Sequence, residues 1–182
     1  MYEERKIKDA LVKAGEGLSK YLEIMELLNM VDVSKDRSFQ RKFNHFYRMR
    51  SRPAEFYNRY YRLLETHKNT GISFQDALKS IYNDLGRVEA SFCSKLVATV
   101  NPGKPVWDKY ILEHLKLKAP SYGTKNRMEK TVEIYESIES WYSLFLQTDD
   151  AKGMIQLFDE TYEDAKVTDL KKIDLTLWQM RD

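Results

Sequence analysis

Glycine and proline are so sparse in this sequence that helices joined by short turns are its natural product. Only 7 Gly and 4 Pro punctuate 182 residues. Between them Leu, Lys, Glu, Met and Tyr dominate, and apolar residues recur at helical rather than alternating spacing. Over residues 3–29 the positions Ile7, Leu11, Leu18, Leu22, Met25 and Leu28 share one face, with a break expected near Gly15 and Gly17. A hydrophobic content of 42% with 13% aromatics is ample for a core at this length. The expected fold class is therefore all-α, a compact single-domain multi-helix fold over 1–182.

Further helices follow from caps and seams. Ser34 is placed to cap a second helix carrying Phe39, Phe43, Phe46, Tyr47 and Arg50 on one face. Pro53 suits the first turn of a third, with Phe56, Tyr57, Tyr60, Leu63, Leu64 and His67. Ser73 with Asp76 three positions on reads as a capping box for a helix through Leu85, which Gly86 ends. Another helix is expected from about Arg87 to Val100, and Pro105 is expected to start one ending near Leu117. A long helix over about 126–146, one around 154–162, and a last one capped by Thr168 complete the set. Asp174 interrupts the apolar stripe Leu170, Ile173, Leu177 and Trp178 of that last helix. An unpaired buried carboxylate is costly, so a partner is expected, with Arg48 or Arg50 as candidates. A structural ion pair is favoured there over a catalytic role.

Several function classes lack support. The acidic residues of the first few positions have no apolar run behind them, and no stretch of 18 apolar residues occurs, so a soluble cytoplasmic protein without membrane association is expected. Cys93 is the sole cysteine, and its neighbours Phe92, Leu96 and Val97 suggest a packed small hydrophobe rather than a nucleophile. His45, His67 and His114 come without Cys or Glu at ligand spacing, and there is no P-loop, GxGxxG or GxSxG, so neither metal nor small-molecule cofactor is expected.

The net charge of +2 conceals an asymmetry. Residues 35–62 hold nine basic residues against two acidic ones, and residues 129–182 hold thirteen acidic against six basic. Such separation suggests an anionic partner for the first region, DNA foremost. The alternatives are that the two regions pack on each other, meet in a homodimer, or form solvated faces. Aromatics alternate with arginines in 45–50 and 58–62, which could supply stacking platforms beside phosphate contacts, although most of these rings are expected in the core.

The stretch Asn83-Asp84-Leu85-Gly86-Arg87-Val88-Glu89-Ala90-Ser91-Phe92 and its continuation Pro105-Val106-Trp107-Asp108 resemble the helix-hairpin-helix DNA glycosylase superfamily. The resemblance covers about residues 74–117, a quarter of the chain, and its motifs are short. It implies a glycosylase-like helix-hairpin-helix core over 73–117 and a role in DNA repair. Gly86 and Arg87 match the hairpin; Pro105, Val106 and Asp108 match the aspartate motif, with Trp107 as an extra residue. By this resemblance Gly86 and Arg87 would bind DNA, and the charge asymmetry adds Arg41, Arg48 and Arg50 of the basic region. Asp108 would be the catalytic carboxylate, and Trp107 or Tyr110 could line the pocket, core burial being the alternative for Trp107.

Two departures shape the expected chemistry. Only one glycine of the usual hairpin pair is present, and Asp84 puts a negative charge beside the phosphate site. Where imine-forming members carry a lysine just after the hairpin, this chain has Val88, and Lys95 lies two helical turns further on. The resemblance thus implies hydrolysis by water, without lyase chemistry. A carboxylate near a dry pocket stabilises the positive charge that develops on the sugar and can orient the water. An aspartate at that place also suits a helix's first turn through the helix dipole alone. A non-catalytic nucleic-acid-binding or protein-interaction module on the same fold is the alternative.

Overall fold

A computed structural model describes residues 2–49 and 51–180, and every regular element among them is a helix. They run in the order α1 (Glu4–Met30), α2 (Arg37–Phe46), α3 (Ala54–His67), α4 (Phe74–Leu85), α5 (Ala90–Val100), α6 (Lys109–His114), α7 (Arg127–Phe145), α8 (Asp149–Thr161) and α9 (Asp169–Gln179). None of the described helices is long and apolar enough to cross a membrane.

The break expected near Gly15 and Gly17 is absent, and α1 is continuous. Each interior glycine costs about 1 kcal/mol relative to alanine, but the buried seam Leu11, Ala14, Leu18 and Tyr21 holds the helix through both. A Cβ on Gly15 would stand 3.2 Å from the Tyr162 hydroxyl, so this glycine admits a close neighbour. Tyr162 donates its hydroxyl to the Leu11 carbonyl, tying the end of α8 to α1.

Asp36, not Ser34, caps α2, accepting the Phe39 amide at 2.6 Å. Ser34 is engaged instead by Asp32, whose carboxylate accepts from its amide and its hydroxyl. Ser73 caps α4 as expected by accepting the Asp76 amide, but Asp76 accepts the Ser73 hydroxyl where a full capping box would have it accept the Ser73 amide, and Thr168 caps α9. Gly86 ends α4 in the left-handed region at φ 64, where glycine carries no Cβ penalty.

Residues 105–108 do not begin a helix. They are held extended by tertiary bonds: the Tyr135 hydroxyl donates to the Pro105 carbonyl at 2.9 Å, and the Trp107 amide donates to Ser94 Oγ at 2.9 Å. With those backbone groups satisfied from outside, the helix starts only at Lys109.

Helix α1 packs on α2, α8 and α9, while α4 packs on α3, α5 and α7. One connected hydrophobic core joins the two groups. Its aromatic centre is Phe39, Phe43, Tyr60 and Tyr61, all fully buried, with Phe56 edge-on to Phe92 at 4.9 Å. Tyr60 donates to the Phe92 carbonyl and Tyr61 to Asn44 Oδ1, so the buried phenols are satisfied. The aromatics of the basic region are thus core, and Arg37, Arg41, Arg59 and Arg62 alternate with them on the exposed side.

Candidate active-site cleft

The bond from the Trp107 amide to Ser94 lays the 101–108 connection back along α5, so that Asp108 emerges beside the second turn of that helix. There Asp108 is the N-cap of α6, with Oδ1 accepting the amides of Tyr110 and Ile111 at 2.9 Å each. Oδ2 accepts the indole N–H of Trp178, on α9, at 3.1 Å. Three of roughly four acceptor positions of a carboxylate are then filled, which leaves Oδ2 a lone pair.

Asp108 borders a cleft of about 210 Å³ between α6, α7, α9 and Tyr2. Aromatic side chains wall it: Tyr2, Tyr110, Tyr142, Trp178 and the imidazole of His114. Leu177, Met180 and Ile111 add apolar surface, and Asp174 is a second carboxylate. Pockets for drug-sized ligands run to about 300–1,000 Å³. The smaller volume here suits one planar ring system.

Burial raises the Asp108 carboxyl above the usual aspartate range, against the hydrogen bond from Ile111, and the charge of Asp174 adds to the rise. Among the described residues, Asp174 pairs with a lysine of its own helix and not with Arg48. Its Oδ2 accepts Lys171 Nζ at 2.9 Å, and the Tyr142 hydroxyl approaches Oδ1 at 3.4 Å. Lys171 stands one turn earlier on the same helix and is 1% exposed, so the carboxylate has a buried partner at hand within α9. Burial alone would lower the Lys171 ammonium, but Asp174 and the phenols of Tyr47 and Tyr21 outweigh it, and its pKa is raised.

Arg48 reaches the site differently from the ion pair expected of it. Its guanidinium lies 4.4 Å from the Trp178 ring centroid, a cation–π contact on a wall of the cleft. Its backbone is left-handed at φ 47, just past the end of α2. Arg50 lies outside the described residues. Arg41 is exposed on α2.

Of the two aromatic candidates, Tyr110 lines the cleft, whereas Trp107 is core, stacked on Phe74 with planes 11° apart. Gly86 and Arg87 are exposed in the α4–α5 turn. Arg87 Nε is 3.0 Å from Glu89 Oε1, and Arg52 grips both oxygens of the same buried carboxylate. Glu89 thereby pins the turn to the start of α3. Cys93 is fully buried, and burial pushes its thiol up, as befits an inert packing residue.

Sequence reasoning missed Tyr2, His114, Tyr142 and Trp178 as cleft walls. Only Trp178 and Asp174 left a signal, as part of a stripe whose carboxylate was out of place. No cluster of three or more potential metal ligands occurs among the described residues. Comparisons with protein-family models, with curated proteins and with solved structures find no match to this chain.

Proposed function

We propose that this chain binds DNA and hydrolyses a base–sugar bond as a monofunctional glycosylase, with Asp108 as the carboxylate. The observation that carries the reading is a desolvated Asp108 with a lone pair of Oδ2 still open, at the edge of an aromatic-walled cleft sized for one ring system. A flipped base stacks between such walls, and a fixed anion beside it opposes the charge developing on the sugar. The two backbone amides and the indole hold that anion in place before substrate arrives, so little reorganisation accompanies the reaction.

The order of parts along the chain agrees with the glycosylase resemblance: helix, glycine turn, helix, extended return, and an aspartate capping a third helix. Asp108 also lies on the hairpin side of α5. Ser94, which holds its neighbour, is five residues past Glu89, or about 7 Å of helix axis. No lysine lines the cleft among the described residues, and Lys171 is committed to Asp174, which supports water rather than an amine as nucleophile.

The capping bonds of Asp108 favour a second reading, a non-catalytic nucleic-acid-binding or protein-interaction module on the same fold. The two are separated by incubating the protein with duplexes that each carry one modified base, then cleaving abasic sites with alkali. Release by the native protein, reduced on the order of 100-fold or more in Asp108→Asn, is expected. No release from any duplex would leave the non-catalytic reading, and equal release by both proteins would remove Asp108 as the carboxylate.

A further inference from the structure

Beyond the cleft, the connection between α6 and α7 carries a concentration of unpaired positive charge. Lys116, Lys118, Lys125, Arg127 and Lys130 stand within fifteen residues against one carboxylate, Glu129. None of the five makes an ion pair among the described residues, and all but Arg127 are exposed. Arg127 Nε is buried with no hydrogen-bond partner among the described residues, a donor that lacks its acceptor.

The same connection displays an aromatic ring to solvent. Tyr122 is 87% exposed, more than any other large hydrophobic residue described. It sits at the tip of a tight turn closed by the Thr124 amide on the Ser121 carbonyl at 3.1 Å and by the two hydroxyls of those residues at 2.9 Å. The Arg127 guanidinium lies 5.4 Å from its ring centroid. Two left-handed residues, Lys116 at φ 55 and Asn126 at φ 56, bracket the segment, and the Leu117 amide returns to the Leu112 carbonyl. The segment is shaped by these bonds and not a slack linker. Lys116 follows cleft-lining His114 by two residues.

We propose that residues 115–127 form a nucleic-acid contact surface at the margin of the cleft, in which Lys116, Lys118, Lys125 and Arg127 meet phosphates and Tyr122 stacks on an unpaired base. Cations alone would suit any polyanion. A ring held out on a rigid turn among them adds the stacking platform that distinguishes a strand with accessible bases from an acidic protein or an anionic lipid surface. With Arg48 on the Trp178 wall, positive charge then stands at two margins of the cleft. The inference rests on the proposed reading for the identity of the polyanion, but not on any catalytic role of Asp108.

The test is titration of a fluorescein-labelled single strand, and of its duplex, with the full-length protein across a series of salt concentrations. In Lys118→Ala/Lys125→Ala the slope of log K against log salt should become shallower by about 1.4 on the single strand, the loss of two phosphate contacts. Tyr122→Ala should weaken binding about fivefold or more at fixed salt, while Tyr122→Phe keeps it. These side chains are exposed, and unchanged thermal melting checks that each variant folds. Native affinity and slope in all variants would overturn the proposal. Binding to vesicles of anionic phospholipid through these residues, with no binding to either DNA, would also overturn it. Base release that persists while the loop variants bind normally would remove this surface alone. Loop variants that lose DNA binding in a protein that releases no base would remove only the catalytic reading.

Discussion

The two oxygens of Asp108 face different partners, which separates the effects of two substitutions. Asn keeps an oxygen for the Tyr110 and Ile111 amides but sets an amide donor against the Trp178 indole donor; Ala removes both interactions. Loss of an N-cap costs about 0.5–2 kcal/mol, so urea unfolding should rank native, then Asp108→Asn, then Asp108→Ala. Because burial raises the Asp108 carboxyl, the folded protein holds that proton more tightly than the unfolded chain. The cost of burying the anion is full above the folded value and vanishes below the unfolded one, so stability from this group rises as pH falls between them. Asp32 acts oppositely: Lys35 and Ser34 hold it at about 2, and what it contributes is lost as pH falls through that value. Melting temperatures of native protein and Asp108→Asn across acidic pH should therefore diverge in favour of the native protein, since the other carboxylates cancel in the comparison. A constant difference would mean that Asp108 ionises normally. That Asp108 stands at the start of a helix was legible because its neighbours in sequence define its position. Its bond to Trp178 was not, with 70 residues between them, and Asp174 was legible as a misfit but not in its partner, because Lys171 competes from its own helix.

At the scale of elements, periodicity and caps located the helices, and tertiary bonds decided where the sequence reading failed. Pro105 is a sound helix start in isolation, yet Ser94 and Tyr135 claim the backbone around it and delay α6 to Lys109. The delay matters for the site, since it makes Asp108 a cap rather than a residue of the first turn. The glycines of α1 show the converse, a weak local signal overridden by packing. A Cβ on Gly17 meets nothing within 4 Å, so Gly17→Ala should stabilise the protein by up to about 1 kcal/mol. Gly15→Ala should gain less, because its methyl crowds the Tyr162 hydroxyl at 3.2 Å. Thermal melting of the two variants checks the order, and equal gains would show that Tyr162 yields freely. The cations of residues 115–127 are visible in the sequence, but their exposure around Tyr122 is a property of the fold.

At the scale of the whole molecule, the described ion-paired cations of the basic segment find their partners outside the acidic C-terminal region. Lys42 pairs with Glu23 and Arg52 with Glu89, while Arg48 meets a ring on α9, and among the described residues no ion pair joins 35–62 to 129–180. Where the two regions meet among the described residues, the contact is that of Arg48 with the Trp178 ring rather than an ion pair. Packing between the chain's distant parts is apolar instead: Ile173 and Leu170 of α9 share a core with Leu11 and Leu18 of α1. Removing residues 169–182 should expose that face of α1 and the unfilled cleft, giving a species that binds a hydrophobic dye and melts without cooperativity. A sharply melting truncated protein would show that α9 is an appendage. The placement of Tyr2 and Trp178 on opposite walls of one cleft carries a further consequence for biosynthesis. A ribosome releases Tyr2 long before Trp178, so a nascent chain that still lacks α9 has no pocket to occupy. A ligand of the cleft finds it only after α9 has been made, and α1 spends the interval with its apolar seam open to chaperones.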